Sequence, residues 1–155
     1  MWPLIFVGFF ALGILSLRGV RWAYFAFVLL GLLYFPARVG FQLDPHPCQL
    51  TINPTLAIHS LSNYAHIVLF TMFFLMTSAQ LRMSNWRAFI WAAAATIAMG
   101  AMVEIGEGVS GKGNCRLRDL IPDAAGALIG SVIVLLWHRV RGRPRFRNSF
   151  STKKY

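Results

Sequence analysis

Five apolar runs alternate with short polar stretches along the 155 residues of the chain. A bilayer core needs roughly 20 apolar residues in a helix that crosses it. The runs cover about residues 2–17, 22–39, 56–80, 88–107 and 120–138, and they predict about five transmembrane helices. The first run is the shortest. It lacks the basic flank and the small-residue cleavage site of a signal peptide, so it reads as a helix. The expected fold is one all-α domain: a polytopic transmembrane bundle over residues 1–138, with a basic tail over 139–155.

Polar positions inside the runs are few and ordered. In the third run His59, Asn63 and His66 recur at i, i+4 and i+7, which places them on one face of a continuous helix. That stripe reaches roughly 10 Å inward at about 1.5 Å per residue. The fourth run ends "AMGAMVEIGEG", where Glu104 and Glu107 share a face with Gly100, Gly108 and Gly111. The fifth opens "DLIPDAAGALIG", with Asp119 and Asp123 at i, i+4 and with Gly126 and Gly130 continuing that face. Pro122 falls in the first turn, where its missing N–H costs least. Asp119 suits an N-cap. Gly126 and Gly130 form a small-xxx-small pattern that lets helix backbones approach closely. Four of the five acidic residues thus lie within residues 103–130, at the facing ends of two apolar runs.

Composition strengthens the membrane reading. Apolar residues make up 57% of the chain and charged residues 13%, about half the roughly 25% of a soluble domain. The net charge of +10 could suggest nucleic acid, but the basic residues sit in short loops and the tail, so topology accounts for them and no nucleic-acid partner is expected. With the tail in the cytoplasm, its seven basic residues join Arg18, Arg21, Arg82 and Arg87 on the inner side, eleven in all. Arg38, Lys112, Arg116 and Arg118 leave four outside. The positive-inside rule then predicts an outer N-terminus and an inner C-terminus. The acidic stretch and the loop "FQLDPHPCQLTINPTLAIHS" fall on the outer side.

Both cysteines, Cys48 and Cys115, lie in predicted outer loops. An oxidising compartment permits a disulfide between them, pinning the loop before span three to the loop before span five. Two free thiols, or a Cys–His metal contact with His46, are the alternatives.

Ionisable groups at membrane depth are costly unless they face the bundle interior, pair, or meet water or ligand. The simplest arrangement turns Glu104, Glu107, Asp119 and Asp123 toward His59, Asn63 and His66, with Arg116 or Arg118 from the loop. Plainer roles stand beside it: Asp119 as a cap, Glu107 in the wet headgroup region, His59 and Asn63 as helix cross-links, and the whole set as an ion-pair network.

From about Asn63 to Gly130, under half of the chain, the sequence resembles the VanZ-like family of small bacterial membrane proteins. The resemblance is carried by "NYAHIVLF", with His66 matching the family histidine, by "VEIGE", with Glu104 matching the acid, and by "RDLIPDAAGALIG". Asp119 matches the aspartate, and Gly126 and Gly130 fit the glycine spacing. Glu107 takes a place often held by glutamine. Asp123 stands where asparagine is usual and adds a charge. The family arginine usually lies further ahead of the aspartate than Arg116 does, so Lys112, Arg116 and Arg118 compete for its role. The resemblance implies the multi-pass cytoplasmic membrane of a bacterium and a role in the cell envelope. The named member is associated with low-level resistance to the glycopeptide teicoplanin.

Two function classes follow. One is a binding or accessory protein that holds a polar group of a lipid-linked or glycopeptide-type molecule at an outer-leaflet pocket, where arginine suits phosphate or carboxylate. The other is a membrane-embedded hydrolase of envelope lipids, using Glu104 and Asp123 with His66 as acid and base or as ligands of a divalent metal. The chain has no HExxH and no nucleophile elbow. No cofactor and no resident metal are assigned, and the bilayer is the one sure partner.

Overall fold

The computed structural model describes residues 2–38, 45, 47–51, 53–81, 86–110 and 115–140. The tail from 141 onward, His46, Arg82, Gly111 and Lys112 lie outside the described residues. Within them the chain is all-helical: α1 (Trp2–Leu17), α2 (Arg21–Arg38), α3 (Pro54–Ser60), α4 (Tyr64–Gln80), α5 (Trp86–Ser110) and α6 (Leu120–Val140), with a 3-10 turn at Leu117–Asp119 before α6.

α1 and α2 form a hairpin whose turn places Gly19 at φ 83°, a backbone conformation that glycine adopts without a Cβ clash. α4 is the central helix. It buries Phe70, Phe73, Phe74 and Met76 against its neighbours, and its most extensive contact is with α6. The glycines of α6 explain that contact. A Cβ at Gly126 would lie 2.6 Å from the Ile67 carbonyl oxygen, and one at Gly130 would lie 3.0 Å from Phe74 Cβ. The Thr71 hydroxyl uses the closeness to donate to the Gly126 carbonyl at 3.0 Å. At the other end of α4, Gln80 donates to the Ser16 carbonyl at 2.8 Å, and the Tyr24 and Thr77 hydroxyls meet at 3.0 Å. These bonds tie the hairpin to α4.

α5 and the segment Leu117–Val140 are each long and apolar enough to cross a membrane, with 25 and 24 residues. α3 and α4 pass that test only as a pair and are bent by 69°. The described chain therefore has two candidate spans, or three if the bent pair is one span. α1 and α2 have 16 and 18 residues, and among the residues whose side chains are described their apolar stretches are Val7–Leu17 and Arg21–Leu33. The helix at residues 56–80 expected as one continuous rod is thus corrected to two pieces. Its sequence "HSLSN" supplies the reason. Ser62 donates its hydroxyl to the His59 carbonyl at 2.6 Å, and the Asn63 N–H bonds to the Ser60 carbonyl at 3.0 Å. Such local bonds compete with the helical ladder and favour a break. Asn53 then caps α3, accepting from the Thr55 N–H at 3.1 Å, with Pro54 in the first turn.

Candidate functional site

The site lies at the end of the bundle where α5 stops and α6 starts. Its wall is a strap cross-linked by a disulfide between Cys48 and Cys115, whose Cα atoms are 4.7 Å apart. Gln49 continues the link as a short parallel bridge to Arg116: its N–H donates to the Cys115 carbonyl at 2.9 Å, and its carbonyl accepts from Leu117 N–H at 3.1 Å. Gly108 of α5 is the seat of this strap. A Cβ there would lie 3.1 Å from Cys48 Sγ and 3.2 Å from Cys115 Cβ. Held this way, the backbone N–H of Arg116 donates to Glu104 Oε2 at 2.8 Å. Glu104 is buried, and its carboxylate anchors the strap to α5.

Deeper in the bundle His66 of α4 meets Asp123 of α6, with Nδ1 2.9 Å from Oδ1. When Asp123 is ionised its carboxylate accepts from Nδ1–H, with Nε2 as the second ring nitrogen. Asp123 is 1% exposed. Its carboxylate lies directly over Gly100 of α5, where any Cβ would run into Oδ2. Oδ2 has no hydrogen-bond partner among the described residues. Gly100 thus makes room for a buried acid between α5 and α6, and His66 balances one of its oxygens.

Between the strap and the break in the bent span is an open pocket of about 380 Å³. Leu56, His59, Ser60, Ser62 and Asn63 line it from α3 and the break, and Arg116, Arg118 and Asp119 line it from the strap. Ser60 donates its hydroxyl to the Leu56 carbonyl at 3.1 Å, and Ser62 is committed to His59 as described. Donors for a guest therefore come from the arginines, His59 and Asn63. Arg118 Nε is 3.9 Å from Asp119 Oδ1, a loose contact between half-buried side chains. Arg116 Nε is buried and has no partner among the described residues.

Of the four carboxylates, Asp119 lines the cavity and the other three lie on neighbouring helix faces. His59, Asn63, Arg116, Arg118 and Asp119 come together around the cavity. Glu104, His66 and Asp123 do not line it, because each is engaged in a contact between elements. Glu107 is half-buried and also lies outside the lining. The break at Ser62 has a further consequence: His59 and His66 no longer share a helix face. Among the described residues, no group of three or more His, Cys, Asp or Glu is placed to hold a metal ion. Gly126 and Gly130 lie close against Ile67, Phe70, Thr71 and Phe74 of α4. Gln49 and Leu56 were not among the predicted site residues. Gln49 follows Cys48 directly, so a pairing next to the disulfide was its only sequence signal.

No family model matches the chain, and neither does any curated protein or solved structure.

Proposed function

We propose that the chain is a VanZ-like integral protein of the bacterial cytoplasmic membrane that binds the polar group of an envelope molecule in the pocket between α3 and the strap. The observation that carries this reading is the pair Arg116 and Arg118 in an open cavity where, among the described residues, Asp119 is the one lining acid. Two guanidinium groups beside a single carboxylate favour an anionic guest. On this reading the chain crosses the membrane five times, with its N-terminus outside and its C-terminus inside. The distribution of lysine and arginine supports that orientation. The Cys48–Cys115 bond supports it too, since disulfides persist on the oxidising side of the membrane and this one borders the pocket. The pocket would then open at the outer leaflet, where lipid-linked precursors and glycopeptide-type molecules are met. A link to teicoplanin-type resistance belongs to this proposal and rests on the family resemblance alone.

The test is the native mass of the full chain released from bacterial membranes in mild detergent. Wild type carries an adduct of a polar envelope molecule, and Arg118→Gln loses it. A bare wild-type chain would sink the binding reading.

A second reading, a membrane-embedded hydrolase, has one observation in its favour. Asp123 holds His66 by Nδ1 and so orients the imidazole for acid–base work at Nε2. In that case His66→Gln would retain the adduct and stop its conversion.

A further inference from the structure

We infer that the guest of this pocket is a phosphate group carried on a lipid, whose chains leave the pocket mouth past α3. The inference rests on the binding role proposed above and names its chemistry. Donors reach the cavity from three segments: His59 at the end of α3, Asn63 at the break, and Arg116 with Arg118 on the strap. Asn63 occupies the N-cap place of α4 without a side-chain capping bond, so its amide is not committed to the helix. Arg116 Nε has no partner among the described residues, and Arg118 Nε makes only a loose contact with Asp119. A planar carboxylate is satisfied by one guanidinium fork. A tetrahedral phosphate accepts from several directions at once, as these segments present donors.

Two observations favour a lipid as the carrier. The cavity of about 380 Å³ would hold roughly a dozen waters at about 30 Å³ each, more space than a bare phosphate fills. One lining residue is apolar: Leu56 on α3, which is 41% exposed. α3 is bent 69° away from α4, so Leu56 offers an apolar contact at the side of an otherwise polar pocket. That contact suits a head group with its chains attached, because a hydrocarbon chain leaving past α3 meets the Leu56 side chain.

The experiment uses the full chain in maltoside micelles, doped at equal mole fraction with phosphatidic acid, diacylglycerol or oleate. Inorganic phosphate is added in a separate arm. Native mass spectrometry reads which probe is retained. Phosphatidic acid is expected to exceed diacylglycerol and oleate by about tenfold or more, as one charge-assisted contact of about 1.5 kcal/mol implies. Arg118→Gln removes most of that preference, and Arg118→Lys keeps part of it. Both variants must keep the disulfide and the wild-type helix content. Retention of inorganic phosphate without phosphatidic acid overturns the lipid carrier. Equal retention of oleate or diacylglycerol overturns the phosphate assignment and leaves the binding pocket standing. No probe retained by wild type overturns both.

Discussion

Asp123 shows how one side chain can join three helices. It projects from α6, rests on bare backbone at Gly100 of α5, and holds His66 of α4. Removing it leaves a polar imidazole without its partner at a packed interface. Asp123→Ala is expected to lower unfolding stability by about 1–3 kcal/mol, measured by denaturant unfolding in detergent. Asp123→Asn keeps an acceptor for His66 and should cost clearly less. Equal losses in the two variants would deny the hydrogen bond its role. The candidate residues are legible to different degrees for physical reasons. His66 and Asp123 stood out because ionisable groups inside apolar runs need partners. Their pairing was legible only as one of several, since spacing along a helix says nothing about which neighbour a side chain meets. The anchoring of Arg116 was less visible still: its backbone N–H, not its charge, satisfies Glu104.

Long apolar runs announce α1, α2, α5 and α6 as helices, and among them α5 and the segment Leu117–Val140 that contains α6 are long and apolar enough to span a membrane. The span at residues 56–80 was misjudged because hydropathy averages over Ser60, Ser62 and Asn63, whose local hydrogen bonds decide the backbone path. Close packing offers a test of the remaining contacts. Gly126→Ala places a methyl against the Ile67 carbonyl, which has little room to move, and should cost about 1–3 kcal/mol as overpacking does. Gly106→Ala is the matched control on α5, since nothing lies within 4 Å of its added Cβ. It should be neutral or slightly stabilising, because alanine favours helix. Thermal unfolding of both variants in one detergent separates the cases. The strap is a second element with a measurable contribution. The disulfide spans a sequence separation of 67 residues, and a loop of that length is stabilised by about 4 kcal/mol through chain entropy. Cys48→Ser should therefore unfold earlier and loosen the Arg116 wall. A denatured, non-reduced sample should take up no thiol reagent, and a reduced one should take up two equivalents.

For the whole molecule, charge and polarity are divided between the two ends of the bundle. One end carries the disulfide, the pocket and the buried acids. The other carries the Gln80, Ser16, Tyr24 and Thr77 contacts, and α6 leaves the bundle there toward the basic tail. On the proposed function the first end lies outside the cell and a guest sits between Arg118 and the break. Both halves of that statement can be read from a single cysteine at Ser62, which lines the pocket while the native thiols are joined. The measurement is the rate at which Ser62→Cys reacts with a membrane-impermeant maleimide in intact bacteria, alone and combined with Arg118→Gln. The account predicts labelling without permeabilisation and a severalfold faster rate once Arg118 is gone and the guest no longer shields the pocket. Labelling only after permeabilisation, or equal rates in the two backgrounds, would contradict it.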